Sequence, residues 1–125
     1  MLAEFELVTA EIIGSAMKIH RDLGCAMFEN VYKLLLADDL ARKGLHVQSE
    51  VHFPLVYEGR HFAKAFKVDL LVAHSVVIEI KSARAFAPEH FKQLLTYLKL
   101  LKLTVRFLLN FGTPSLGIKR MLNHF

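Results

Sequence analysis

The sequence predicts one α/β domain over residues 1–125, built around a small mixed sheet. Its length of 125 residues suits one compact core rather than two marginal ones. In the first third of the chain apolar residues recur every three or four positions, as in amphipathic helices. After the first third, apolar residues alternate with polar ones or form continuous runs, as in strands. The predicted order is helix, helix, three strands, helix, strand, which is typical of the α/β class.

Composition and charge narrow the class of protein. Hydrophobic residues make up 54% of the chain, which excludes a disordered tail and predicts a well-filled core. Sixteen Lys and Arg against twelve Asp and Glu give a net charge of +4, a balance compatible with an anionic partner. The single cysteine, Cys25, cannot form an internal disulfide, so we expect a cytoplasmic protein. The acidic start does not resemble a signal peptide, and no apolar run is long enough to span a bilayer.

Two predicted helices open the chain. The first spans Leu2–Leu23, where an apolar stripe faces one side and charged residues the other. The second runs from Phe28 to Lys43 with the same kind of apolar spacing. Gly24 and Gly44 follow the two helices, and glycine at such positions is typical of a helix end.

Three predicted strands come next. Val47–Leu55 is the first, and Pro54 within it favours a sheet edge or a bulge. Glu58–Gly59 predicts a turn, after which Phe62–Val72 returns as the second strand. Val76–Lys81 is a short β-branched run of the kind that fills a central strand.

The last part of the chain predicts one more helix and one more strand. Pro88 opens a helix that runs to about Leu101. Thr104–Asn110 is predicted as a strand because it is almost wholly apolar. The tail, Pro114–Phe125, fits neither pattern clearly, and no internal repeat or linker is visible.

The run Val76–Lys81 contains two charged residues, Glu79 and Lys81. Because side chains alternate along a strand, these two share a face. Burying a charge without a partner costs several kcal/mol, so an interior strand seldom carries two by accident. If the hairpin before this strand is symmetric about His74, Asp69 lies directly across from Glu79, with the two Cβ atoms about 5 Å apart.

At this distance two carboxylates repel each other unless a cation lies between them. An all-oxygen pair suits Mg²⁺ or Mn²⁺ far better than zinc. Asp69 and Glu79 would then hold an ion that polarises a phosphodiester and lowers the pKa of bound water. The ammonium of Lys81 would stabilise the developing charge. The alternative is a cross-strand salt bridge on a solvated face, which these residues alone do not exclude.

Several segments of the chain together indicate a family. They are Glu29–Tyr32, Val68–Val72, Val77–Lys81, Gln93–Leu98, Leu108–Gly112 and Lys119–Arg120. In these segments the sequence resembles the GxxExxY family of small proteins, within the PD-(D/E)xK nuclease-like superfamily. The resemblance implies a restriction-endonuclease-like core, in which a central mixed sheet is flanked by helices and carries a metal site on its two middle strands.

The resemblance also implies roles for single residues. Asp69, Glu79 and Lys81 match the metal-binding and catalytic positions of the superfamily. Glu29 matches an acidic residue on an early helix that completes the metal site, although a carboxylate at a helix start is favoured by the helix dipole whatever its role. One position departs from the pattern, since the glycine that names the motif is Ala26 here. If that position needs a positive φ, alanine costs about 1 kcal/mol there.

Further residues are expected on the substrate side. Gln93 and Tyr97 match the Q-x-x-x-Y element of the RecB-like branch, where the helix after the catalytic strand faces the substrate. Their spacing of four also fits an ordinary polar helix face. Lys67, Arg84 and Lys92 are candidates for contacts with nucleic-acid phosphates, although scattered basic residues also serve solubility.

Two hypotheses of function follow, beside the third possibility of a purely structural dimer. The first is a Mg²⁺- or Mn²⁺-dependent phosphodiesterase that acts on nucleic acid, with DNA as the expected substrate. A homodimer is expected with it, because two strands of a duplex need two cuts. The second is a non-catalytic module that retains the nuclease fold and binds nucleic acid or a protein. Binding of Mg²⁺ or Mn²⁺ that is lost on changing Asp69 or Glu79 would favour the enzyme.

Overall fold

The computed structural model describes residues 2–84 and 105–122. Its two helices are α1 (Leu2–Leu23) and α2 (Glu29–Arg42). Its five strands are β1 (Val47–Tyr57), β2 (Arg60–Val72), β3 (Val76–Lys81), β4 (Val105–Asn110) and β5 (Gly117–Leu122). The predicted helix from Pro88 to Leu101 lies outside the described residues. Within the described residues, no helix is long and apolar enough to cross a membrane.

The strands form one mixed sheet in the order β1-β2-β3-β4-β5, which confirms the predicted α/β class. β3 and β4 pair in parallel, and every other neighbouring pair is antiparallel. A parallel pair requires a crossover of about a dozen residues or more, and the chain between Lys81 and Val105 supplies it. β3 has two strands on each side, so its prediction as a central strand is confirmed.

Apolar side chains pack on both faces of this sheet. The larger cluster joins α1 and α2 to one face and includes Ile78 and Ile80 of β3. A smaller cluster on the other face contains Val68, Leu71 and Val77. Since Ile78 and Ile80 point into the helix-covered core, the alternation of β3 sends Glu79 and Lys81 to the opposite face, as predicted.

The hairpin of β1 and β2 is longer than predicted. Glu58 and Gly59 have φ values of 49° and 72°, as in the two-residue turns that match the twist of paired strands. Pairing therefore begins directly at the turn. The register shifts between Phe53 and Leu55, which places an irregularity at Pro54 on an edge strand, as predicted.

The C-terminal tail forms the strand β5, which pairs with β4 in antiparallel orientation. Sequence analysis left this segment without an assignment. β5 is an edge strand whose residues Gly117–Met121 are half-buried or exposed, so no continuous apolar run marks it.

Candidate active site

The carboxyl groups of Asp69 and Glu79 meet at the point where β2 and β3 separate. The hairpin between these strands is symmetric about His74, as predicted, and the same register continued by one pair places Asp69 opposite Glu79. The backbone N–H of Ile80 donates a hydrogen bond to Asp69 Oδ2 at 2.7 Å. Here a side chain of β2, rather than its backbone, accepts the hydrogen bond from β3.

The alternation of β2 is interrupted at Asp69. Leu70 and Val72 pack in the helix-covered core, whereas Val68 packs on the opposite face. Across from Asp69 in β1, Glu50 has a φ of 51°, a left-handed conformation that costs about 1 kcal/mol or more for a residue with a side chain. This local distortion directs the Asp69 carboxylate toward β3.

Glu79 has a buried carboxyl oxygen without a partner. Its Oε1 accepts no hydrogen bond from the part of the chain that the structure describes. Burial raises the pKa of Glu79 to about 8, and the neighbouring Asp69 carboxylate adds to the rise. Without a cation, this carboxyl group is therefore protonated at neutral pH.

Two basic side chains oppose this effect. The charges of Arg106 and Lys81 lower the pKa of Glu79, but less than burial and Asp69 raise it. Arg106 lies on β4 and is fully buried, while Lys81 is half-buried. Among the described residues, no ion pair joins Lys81 to Asp69 or Glu79. The structure thus does not contain the cross-strand salt bridge that the sequence left as an alternative.

The donor atoms of Asp69 and Glu79 suit a hard divalent ion. Carboxylate oxygens are the donors that Mg²⁺ and Mn²⁺ prefer, and an ion would provide the missing partner of Glu79 Oε1. Within residues 2–84 and 105–122, no group of three or more His, Cys, Asp or Glu side chains could hold a metal ion. The pair is therefore a partial ligand set, which suits Mg²⁺ because this ion usually keeps several waters.

Glu29, the predicted auxiliary ligand, begins α2 and contacts the segment after β3. Its Oε1 accepts a hydrogen bond from the backbone N–H of Ser82 at 3.4 Å. Glu29 also shares a cleft of about 230 Å³ with Asp69. The remaining walls of this cleft are Asn30, Lys33, Glu50 and Lys67. The structure brings Glu29 and Asp69 to one cleft, and the role of Glu29 as a ligand stays a prediction.

Two residues that line this cleft, called the first cleft below, form an ion pair. Lys33 Nζ lies 2.6 Å from Glu50 Oε1. The hydrogen bond from Lys33 and its charge hold the pKa of Glu50 below its usual range, and Lys67 contributes in the same direction. Lys67, a predicted phosphate contact, is exposed beside Asp69 in this cleft.

A second cleft, of about 690 Å³, shares Glu29 and Asn30 with the first. One wall is the segment Cys25–Asn30, and the other is Ser82–Arg84 with Gly112. Arg84, another predicted phosphate contact, is exposed here. Lys67 and Arg84 therefore lie in two clefts that adjoin at Glu29.

Asn110 and Gly112 fix the segment that follows Lys81. The buried Asn110 side chain donates from Nδ2 to the carbonyl of Ala83 at 2.9 Å, and its Oδ1 accepts from the N–H of Ala83 at 3.0 Å. The same Oδ1 accepts from the N–H of Gly112 at 3.0 Å. A Cβ at position 112 would lie 2.4 Å from the Ala83 nitrogen, so glycine alone permits this close approach.

Tyr32 holds the loop between α1 and α2. Its buried hydroxyl donates to the carbonyl of Gly24 at 2.5 Å and accepts from the N–H of Met27 at 3.2 Å. Its ring stacks on Phe111, with ring centroids 4.3 Å apart. The left-handed residue of the loop is Gly24, with a φ of 73°, whereas Ala26 does not have a positive φ. The alanine at the motif position therefore causes no backbone strain.

Lys33, Glu50, Arg106 and Asn110 belong to the site, but sequence analysis did not assign them a role. A signal existed for Arg106, because a charge within an apolar strand was the argument that selected Glu79 and Lys81. Asn110 lies in Leu108–Gly112, one of the segments that carry the family resemblance, but no role was predicted for it. The pairing of Lys33 with Glu50 had no sequence signal, because it joins a helix and a strand 17 residues apart.

Three predicted substrate-side residues lie outside the described residues. They are Lys92, Gln93 and Tyr97, all within the segment 85–104. Their roles stay predictions.

Comparisons with known proteins identify the family. A family model described as the PD-(D/E)XK nuclease superfamily matches residues 6–121. Among solved structures, the crystal structure of SSO0001 has a similar fold, with a TM-score of 0.60 at 21% sequence identity. The match covers 78% of this chain and 51% of the SSO0001 chain, so this chain spans about half the length of SSO0001. No curated protein matches the chain. The predicted restriction-endonuclease-like fold is confirmed.

Proposed function

The chain belongs to the PD-(D/E)XK nuclease superfamily, and we propose that it is a divalent-metal-dependent phosphodiesterase that cleaves nucleic acid, with DNA as its substrate. We also assign it to the GxxExxY family within that superfamily. Glu29 and Tyr32, the two residues that this motif names besides its glycine, support that assignment, since Tyr32 fixes the loop that directly precedes Glu29.

The observation that supports the proposal most directly is the buried oxygen of Glu79, which lies beside Asp69 and has no hydrogen-bond partner among the described residues. In the metal-free protein this arrangement is unfavourable, because one buried carboxyl must either take up a proton or stay charged next to another carboxylate. A divalent ion would remove both costs. Strongly perturbed carboxyl groups are typical of functional sites, and Asp69, the neighbour of Glu79, lines the first cleft.

The described side chains have separate tasks in this proposal. Asp69 and Glu79 would hold the ion, and Glu29 would complete the ligand set. When bound, Mg²⁺ or Mn²⁺ supplies Lewis-acid polarisation of the scissile phosphodiester. The N–H of Ile80 keeps the Asp69 carboxylate in place. Lys81, on the same face of β3 as Glu79, donates an N–H to a phosphate oxygen and stabilises the charge that develops there.

Contacts outside the carboxylate pair would position the substrate. Lys67 and Arg84, exposed in the two adjoining clefts, would bind phosphates on either side of the reacting one. Lys92, Gln93 and Tyr97 would contact the same substrate.

We further propose a homodimer that acts in the cytoplasm. Support for a second copy comes from apolar residues that stay exposed near the tip of the β1–β2 hairpin, namely Val56, Tyr57 and Phe62. The lone Cys25, which is exposed and free, supports a reducing compartment.

The test is hydrolysis of labelled single-stranded, duplex and branched DNA and RNA in the presence of Mn²⁺. Asp69→Asn, Glu79→Gln and Lys81→Met should each lower the rate by about 100-fold or more. Asn at position 69 keeps an oxygen that accepts from the N–H of Ile80, so this variant loses the charge but not the hydrogen bond. Lys64→Met, an exposed lysine on the hairpin, is the matched control and should keep its activity. Wild-type rates in Asp69→Asn or Lys81→Met would refute the proposal.

A second candidate is a non-catalytic module that binds nucleic acid or a protein. It is favoured by the finding that no group of three His, Cys, Asp or Glu side chains among the described residues could hold a metal ion. Calorimetric titration with Mn²⁺ separates the two candidates. Binding that disappears in Asp69→Asn and Glu79→Gln favours the enzyme, and absence of binding with and without an oligonucleotide favours the module.

A further inference from the structure

Phe28 exposes its ring at the edge of the second cleft. It is 85% exposed, more than any other large hydrophobic side chain within residues 6–84 and 105–121. An apolar ring in that environment loses the stabilisation that burial would give it. Exposed apolar surface that lines a groove is typical of ligand-binding sites, and Phe28 lines this cleft.

The position of Phe28 adds a second cost. It is the N-cap of α2, where Ser, Thr, Asp or Asn would accept a hydrogen bond from the first turn of the helix. Phe28 makes no side-chain cap hydrogen bond. Neither the fold core nor the helix therefore accounts for an aromatic residue at this place.

The loop that carries Phe28 is hydrogen-bonded to the residue that follows β3. The Ser82 hydroxyl donates to the carbonyl of Met27 at 2.9 Å, and Ser82 directly follows Lys81 in the chain. On its other side the loop is fixed by the hydroxyl of Tyr32. The ring of Phe28 thus extends from an ordered backbone near the end of β3 that carries Lys81.

The second cleft combines the groups that a nucleotide requires. Arg84 offers a guanidinium for a phosphate, and Phe28 offers a flat apolar face at the same cleft. Stacking on an aromatic side chain needs a base whose face is free, whereas a base inside a duplex is covered by its neighbours. The pair therefore suits a single-stranded nucleotide rather than a base pair.

We propose that Phe28 stacks on an unpaired nucleobase whose phosphate is bound in the second cleft, so that the protein selects substrates with a single-stranded nucleotide at that place. This inference uses the proposed function, since it concerns the substrate of the same site. It names Phe28 as a residue that determines specificity and gives it no part in hydrolysis.

The test is binding without hydrolysis, measured by fluorescence anisotropy in EDTA. The probes are a labelled oligothymidylate and a blunt duplex of equal length. Phe28→Ala should weaken binding to the single strand about 5- to 150-fold, as expected for the loss of one stacked base, and change duplex binding less than about two-fold. Phe28→Trp should restore single-strand binding. Leu34→Ala removes another strongly exposed apolar side chain of α2 that does not line either cleft, and should bind like the wild type.

Each result decides the inference independently of the enzymatic proposal. Equal binding by Phe28→Ala and the wild type, an equal loss on the duplex, or no rescue by Phe28→Trp would overturn it. A wild type that binds neither probe would also overturn it, and so would an effect of Leu34→Ala of the same size. If the wild type hydrolyses DNA in Mn²⁺ but Phe28→Ala binds normally, only the inference fails. If Phe28 controls single-strand binding and the wild type does not hydrolyse any substrate, only the proposed function fails.

Discussion

Replacing Glu79 with glutamine should stabilise the metal-free protein at alkaline pH. Burial and the Asp69 carboxylate raise the pKa of Glu79 from 4.5 to about 8 in the folded state. Between these values the folded protein holds a proton that the unfolded chain has released, so stability falls as the pH rises. Glutamine resembles the protonated form and does not titrate. The variant therefore lacks this pH dependence.

The size of the effect follows from the width of the pH window. Each pH unit within it removes about 1.4 kcal/mol from the free energy of unfolding, so the wild type loses roughly 4 to 5 kcal/mol between pH 4.5 and 8. Below pH 4.5 Glu79 is protonated in both states and contributes nothing. Above pH 8 the loss is complete. This is a large part of the 5 to 15 kcal/mol that is typical of a folded domain.

Urea unfolding in EDTA at a series of pH values between 4.5 and 9 measures this difference. The stability of Glu79→Gln minus that of the wild type should be near zero at pH 4.5 and should grow to several kcal/mol by pH 8. Glu6→Gln, at an exposed position of α1, is the matched control and should run parallel to the wild type. Mn²⁺ at pH 8 should raise the stability of the wild type more than that of Glu79→Gln.

Parallel curves for the wild type and Glu79→Gln would refute the argument. They would mean that the Glu79 carboxyl is solvated or already compensated in the folded state. A variant that is less stable than the wild type at every pH would refute it as well.

Two further predictions concern the frame of the site and its assembly. Gly112→Ala should destabilise the protein by about 2 kcal/mol or more and lower the hydrolysis rate, because a Cβ there would lie 2.4 Å from the nitrogen and 2.6 Å from the oxygen of Ala83. Thermal unfolding measures the change, and Gly14→Ala is its control. Apart from the backbone of α1 itself, no atom of the described residues lies within 4 Å of a Cβ at Gly14, so alanine should stabilise there by up to about 1 kcal/mol. A Gly112→Ala protein as stable as the wild type would contradict the close approach. The proposed homodimer predicts twice the mass of the chain in sedimentation at working concentration, and a monomer there would remove it.

Local patterns in the sequence were enough to predict several elements. The α1 and β3 boundaries agree with the structure, because helical spacing and a β-branched run depend on residues close together in the chain. The turn at Glu58 and the hairpin centred on His74 were also predictable, since a short turn and strand alternation determine which residues face each other. β5 was not predictable, because an edge strand needs no apolar run.

In the candidate site, too, some features follow from local sequence and others only from packing. The chain itself determined that Asp69, Glu79 and Lys81 lie close together, because a short hairpin and the two-residue period of a strand bring them to one place. Packing decided how strongly they are perturbed. The buried oxygen of Glu79, the nearby charge of Arg106 and the contact between Glu29 and Ser82, 53 residues apart, depend on which elements meet across the sheet. The physical reason is that geometry along one strand is set by neighbouring residues, whereas desolvation and electrostatics sum over everything that surrounds a side chain in space.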